Sequence, residues 1–170
     1  MQSKPTHRLS VLTLHVLPMN AEPTLARPQP EVDFLELRYR PDVQLLVARW
    51  RRPVSAAELR QGYRATLQLA QEVGCSFWQI DIRSRNAPDE ATQRWLTTEF
   101  LERATQQLNG PVCLGYLLTP TLLAELGGPG AGSSQIGFFA EEGALTAWLS
   151  QCQHSRLGQA HRDFNSQQVA

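Results

Sequence analysis

Four arginines fall where strands of this chain are expected to end. Arg51 and Arg52 follow one apolar run, and Arg83 and Arg85 follow the next, with Ser84 and Asn86 beside them. A guanidinium is a rigid fork that grips a carboxylate or phosphate at two points. In open parallel sheets, ligands meet the crevice beyond the carboxyl ends of the strands. Arg51, Arg52, Arg83, Ser84, Arg85 and Asn86 are therefore the candidate ligand residues, suited to an anionic metabolite, a nucleotide or a lipid headgroup. The competing reading is a row of ordinary solvated strand ends. Asp81 shares a strand face with Gln79 and Arg83, while Trp78, Ile80 and Ile82 take the other face. A carboxylate buried there needs a cation. Arg38 or Arg49 on a neighbouring strand is the expected partner, in a structural ion pair rather than a catalytic one. If Arg83 neutralises Asp81 instead, that part of the rim is architecture.

Other constellations carry less. The run Gly127-Gly128-Pro129-Gly130-Ala131-Gly132 invites a phosphate-loop reading, but a P-loop needs a Lys-[Ser/Thr] ending that is missing here. A dinucleotide loop would follow the first strand and open a helix, whereas this run precedes the last strand. A surface loop is expected. Cys75, Cys113 and Cys152 form no C-x-x-C pair, so neither a disulfide framework nor a zinc knuckle is indicated. Cys152 with His154 and His161 has no recognised metal spacing. His7 and His15 lie in the N-terminal arm, which leaves the folded core without a histidine to act as base for a nucleophile. No catalytic residue, metal or cofactor is assigned, and an enzyme is not expected.

These residues sit in a chain of 170, enough for one domain that buries about 70% of its unfolded surface without staples. The composition, 42% apolar and 19% charged, is that of a folded protein and argues against disorder. Sixteen basic residues balance sixteen acidic ones, which removes the broad basic field of a general nucleic-acid binder. No apolar run approaches the length of a membrane span. Fifteen of the sixteen basic residues are arginine, a bias that by itself says nothing about function. The three unpaired cysteines fit a reducing cytoplasm.

Residues 1–31 read as an N-terminal arm or extra strand. The stretch Leu9 to Met19 behind Lys4 and Arg8 has the outline of a signal sequence but lacks a clean cleavage site, and prolines follow it. Residues 32–152 form the domain, and 153–170 a polar tail expected to fray. Leu35, Leu37 and Tyr39 alternate with charged residues as a half-buried strand. Pro41-Asp42 turns the chain into a second strand, Val43 to Trp50. Ser55-Ala56-Ala57-Glu58 is a capping box for a helix that Gly74 stops. Phe77 to Ile82 is the third strand. Pro88 opens a second helix with Leu96, Phe100, Ala104 and Leu108 facing inward. Val112 to Leu118 reads as a central parallel strand. A short helix, a fifth strand at Ile136 to Phe139 and a helix from Glu141 to Ser150 complete the order. The expected class is α/β: one mainly parallel five-stranded sheet, an N-terminal hairpin and about four helices. At 100° per residue Trp95 lies off the inward stripe, about 140° from Phe100. It serves either as an interface anchor or as a ring folded down over the sheet edge. The face bearing Glu36, Arg38, Gln79 and Asp81 is polar for a sheet covered on both sides, so partial cover is expected, with a dimer as one way of covering the rest.

Several runs together suggest a family. They are Val47-Ala48-Arg49-Trp50 before a capped helix, Gly74-Cys75 before Trp78-Gln79-Ile80-Asp81-Ile82-Arg83, the Trp95-Leu96 helix, and the closing stretch Phe138 to Leu149. This pattern, over roughly residues 33–150, resembles bacterial proteins grouped with STAS domains of the anti-sigma-factor-antagonist type and with lipid-carrying CRAL-TRIO domains. The resemblance implies a STAS-like fold and a non-enzymatic regulatory or scaffolding module that binds a protein partner, including a second copy of itself. STAS switches carry a regulatory serine in an Asp-Ser-Ser-Gly run. The matching stretch here, Ser84-Arg85-Asn86-Ala87-Pro88-Asp89, lacks it. CRAL-TRIO domains need extra helices that this core has no room for. An anionic small molecule on the arginine rim is the alternative function.

Overall fold

The computed structural model describes residues 32–128 and 132–168, with side chains described as far as Arg156. The arm at 1–31, the loop residues 129–131 and the His161 side chain lie outside the described residues. Among the described residues five strands form one sheet in the order β1-β2-β3-β4-β5: β1 (Leu35–Arg40), β2 (Leu45–Trp50), β3 (Phe77–Asp81), β4 (Cys113–Leu117) and β5 (Ile136–Phe139). β1 and β2 are antiparallel, a hairpin turned at 41–44, where Gln44 takes φ 47°. The remaining neighbours are parallel.

Among the described residues the helices are four bodies. α1 (Ala56–Val73) begins with the full capping box, Ser55 and Glu58 satisfying each other's backbone donors. It ends at Gly74, whose φ of 64° is the left-handed stop that glycine adopts without strain. α2 (Glu90–Trp95), a π-turn (Leu96–Phe100) and α3 (Leu101–Gln107) run on as one rod, capped by the Asp89 carboxylate. α4 (Pro120–Glu125) is capped by Thr119. α5 (Glu142–Gln168) is much longer than its expected end at Ser150, so Gln153, His154 and Arg156 belong to a helix rather than to a frayed tail.

Strand order fixes where the helices go. Each parallel strand is laid beside the one before it, always in one direction, and right-handed crossovers then place the connecting helices on the same face. That face carries Leu46, Ala48, Trp50, Trp78, Ile80, Leu114 and Tyr116, all buried. Tyr63 from α1 packs on Trp50 at 5.6 Å, and Phe100 from the π-turn packs on Tyr63 at 5.2 Å and Trp78 at 6.2 Å. Gly62 lets α1 come this close, because a Cβ there would lie 2.4 Å from the Trp50 ring.

Among the described residues, α5 alone crosses the opposite face. Its Leu145 lies over Gly115 of β4, and its Trp148 packs on Phe139 of β5 at 5.6 Å. Gln153 reaches the hairpin turn, donating to the Val43 carbonyl at 2.9 Å. α5 contacts β3, β4 and β5 and, among the described residues, leaves the same face of β1 and β2 open. The polar face is thus half covered.

Trp95 is a correction. It is buried, 5.4 Å from Phe100, rather than off the inward stripe. The cause is the π-turn, in which the Leu101 N–H bonds to the Leu96 carbonyl five residues back. The wider turn brings residues five apart onto one face, so Trp95 and Phe100 meet. Of the two roles open to this ring, the packed one is observed.

Candidate functional site

The carboxyl ends of β2 and β3 bring the six rim residues to one end of the sheet, and the protein itself engages most of them. Arg51 Nη2 donates to Glu36 Oε2 at 3.0 Å. Arg52 is shared between Asp33, at 2.8 and 3.2 Å, and Glu58, at 2.9 Å. The Arg52 hydrogen bond and the Ser55 backbone N–H together pull the Glu58 carboxyl down to about 2. Asn86 Oδ1 accepts from the Val54 N–H at 2.9 Å and ties the loop after β3 to the loop after β2. Ser84 is exposed in a turn closed by the Arg85 N–H on the Ile82 carbonyl.

Arg83 belongs to Asp81. Asp81 is 3% exposed on the α5 face. Its Oδ1 accepts from Arg83 Nε at 2.9 Å and from the Arg83 backbone N–H at 3.3 Å, and its Oδ2 accepts from Arg83 Nη2 at 2.7 Å and Arg49 Nε at 3.2 Å. Burial alone would raise the carboxyl's pKa, but the Arg83 bonds and charge, joined by Arg49, outweigh it and hold the group below its usual range. Of the two expected partners Arg49 is present. Arg38 is not, and lies 3.6 Å from Glu36 instead. The larger partner sits two residues further along the chain, where the period-2 geometry places it on the same face.

Arg85 is different. It is 8% exposed and lies over the Trp50 ring at 5.2 Å, on the helix-covered side. Among the described residues its Nε and Nη1 have no hydrogen-bond acceptor, and neither does the buried Trp50 Nε1. Close by, Tyr63 and Tyr116 share a hydrogen bond of 3.2 Å between their hydroxyls. Burial pushes the Tyr116 phenol far up, the Tyr63 hydroxyl adds to this, and the Arg85 charge opposes it. A second arginine, Arg60 of α1, lies over Trp95 at 5.4 Å with its own buried Nε unpartnered.

Concavities mark the surface of the described residues, two of them near the sheet. One, of about 190 Å³, lies on the open face between Glu36, Arg38, Arg40, Val47, Arg49, Gln79 and Glu142. The other, of about 420 Å³, runs from Gly132 to Phe139 beside Trp148 and has no charged side chain in its wall. The first is where the polar face is left bare.

Cys113 and Cys152, distant in sequence, meet between β4 and α5 as free thiols. Burial, with Cys152 adding to it, pushes the Cys113 thiol up to about 12, and burial also raises Cys75. Only the thiolate reacts with alkylating agents. Cys75 and Cys113 are therefore expected to resist iodoacetamide at pH 8 in the folded protein and to label fully in denaturant. Labelling of Cys113 at the rate of an unfolded thiol would contradict the packing of α5 on β4. Among the described residues no group of three His, Cys, Asp or Glu side chains gathers, and no helix is long and apolar enough to cross a membrane.

Comparison with protein-family models, curated proteins and solved structures finds no match. The features that sequence reasoning missed are the arginine–indole pairs, Arg85 on Trp50 and Arg60 on Trp95. Both join residues from separate elements, and no spacing along the chain announces them. Tyr116 carried one signal: a phenol in an otherwise apolar central strand needs a partner for its hydroxyl.

Proposed function

We propose that this domain is a non-enzymatic, STAS-like protein-interaction module with a regulatory or scaffolding role in the cytoplasm, and that its contact surface is the open face and free edge of β1. The observation that carries the reading is β1 itself. Among the described residues it lies at the edge of the sheet and its charged face is bare of helix, and Leu37 and Tyr39 on its other face are only half buried. An edge strand with unpaired backbone groups is a template for another strand.

The partner this edge fits is a second copy of the chain. Closed symmetric pairs bring the same strand against itself. Antiparallel β1–β1 pairing centred on Leu37 sets Glu36 opposite Arg38 of the other copy, twice over by symmetry. It also brings Leu35 against Tyr39 and Leu37 against Leu37. Opposite charges placed directly across a strand pair are favourable and like charges unfavourable, by about 0.2–1 kcal/mol per pair. Arg38 is free to do this, being 71% exposed and held among the described residues only by its 3.6 Å contact with Glu36, whose carboxylate also accepts from Arg51 and is shared between the two.

Light scattering across a concentration series tests the reading. A monomer–dimer equilibrium is expected, and Arg38→Glu is expected to weaken it by at least about tenfold, since two attractive pairs become repulsive. A strict monomer at high concentration contradicts self-association through β1.

A further inference from the structure

We propose that the corner formed by Trp50, Arg85 and Tyr116 binds a small oxyanion, the carboxylate or phosphate group of a metabolite, with Arg85 as its main ligand. The proposal does not depend on β1, which lies at the sheet edge. Arg85 is over nine-tenths buried, yet two of its guanidinium nitrogens, Nε and Nη1, have no acceptor among the described residues. Buried donors are almost always paired, and a buried charge without a counter-charge is among the most unfavourable arrangements in a protein. Trp50 Nε1, from the ring beneath the guanidinium, is a further buried donor without a partner. In the Tyr63–Tyr116 pair one hydroxyl donates to the other, which leaves the second proton without an acceptor among the described residues.

The groups left unpartnered here are donors. They come from Trp50 at the carboxyl end of β2, Arg85 in the loop after β3 and the one free hydroxyl proton of the pair joining α1 and β4, at the end of the sheet where parallel strands meet ligands. Such a set selects a group that accepts several hydrogen bonds and carries negative charge, which excludes a cation. A water molecule is a poor substitute, because it accepts two hydrogen bonds at most and brings no charge to offset the guanidinium. Arg51, Arg52 and Arg83 are all held by carboxylates of the protein, so Arg85 is the rim arginine left with donors to give.

The test is thermal unfolding of the full chain in an amine buffer, with inorganic phosphate and acetate titrated separately and ionic strength balanced by chloride. At least one of the two anions is expected to raise Tm saturably, by about 5 °C or more at a hundredfold excess over its Kd; which one does so identifies the group. The exposed Arg64→Gln variant keeps the shift and Arg85→Met loses it. Without anion, Arg85→Met is expected to melt no lower than the parent chain, because the methionine still covers Trp50 while the uncompensated charge is gone. Trp50→Phe keeps the ring and removes one donor, so it is expected to weaken anion binding about tenfold without abolishing it. The proposal is overturned if neither anion gives a saturable shift, or if the shift survives in Arg85→Met. It is also overturned if Arg85→Met melts well below the parent in anion-free buffer while Trp50→Phe binds unchanged, which makes the guanidinium a structural cover for the indole.

Discussion

Replacing Arg49 and Arg83 together by glutamine is expected to destabilise the fold by about 3–5 kcal/mol, the usual consequence of leaving a buried charge without its partner. In Tm this is a fall of roughly 10–20 °C for a domain of this size. The single variants lose less, because each leaves Asp81 one guanidinium. Arg83→Gln should exceed Arg49→Gln, since Arg83 holds both carboxylate oxygens and Arg49 only one. Asp81→Asn is expected to be milder than the double variant, because both arginine side chains are nearly half exposed and can turn to water. The pH dependence has a definite sign. Asp81 is held below its ordinary value of 3.8, so its contribution is complete above that pH and is lost as the pH falls through the lower folded value. The stability of Asp81→Asn should therefore fall less steeply than that of the parent below about pH 4. Asp81→Asn proving more damaging than the double arginine variant would contradict this account of the cluster.

Inserting one alanine after Thr98 is expected to destabilise by about 2–4 kcal/mol, whereas Thr98→Ala changes stability by less than about 0.5 kcal/mol. Thr98 is exposed, and its hydroxyl donates only to the Arg94 carbonyl of its own rod. Its side chain contributes little; its place in the count is what matters. Adding one residue leaves Trp95 and Phe100 six apart, beyond what the one wide turn accommodates, and turns Trp95 by about 100° relative to Phe100. That takes the indole away from Phe100 and Arg60 and into water. Chemical denaturation of the two variants checks the contrast, and equal effects would show that the extra residue does not set the phase.

Trp95 also marks where the sequence stops being legible. The inward positions Leu96, Phe100 and Ala104 follow from ordinary periodicity and are buried, because they lie within or after the bulge. Trp95 precedes it, and nothing in Leu96-Thr97-Thr98-Glu99-Phe100 announces a wider turn. The alternating strands, the capping box at Ser55 and the order of elements are legible because each is a local pattern. The end of α5 is not: Gln153 and Arg156 are held by the Val43 and Pro111 carbonyls, far away in sequence. The rim arginines show the same divide. Their position at strand ends is readable, but whether each meets a carboxylate depends on side chains brought in by other elements. Arg52 finds Asp33 and Glu58, and Arg83 finds Asp81, while Arg85 finds an indole. Asp81 lies between these cases. Its need for a cation is evident from a carboxylate in a buried strand, and its main partner is only two residues away.

The β1 edge as the interaction surface is tested most directly by mixing two variants, each unable to pair with itself. Arg38→Glu places glutamate opposite glutamate in its own dimer, and Glu36→Arg places arginine opposite arginine. Sedimentation velocity of each alone is expected to show monomer at a concentration where the parent chain is dimeric. Combined in equal amounts, they set two glutamates on the β1 edge of one chain against two arginines on the β1 edge of the other, and the dimer is expected to return. A mixture that remains monomeric, or single variants that dimerise as well as the parent, would contradict pairing through β1 in this register.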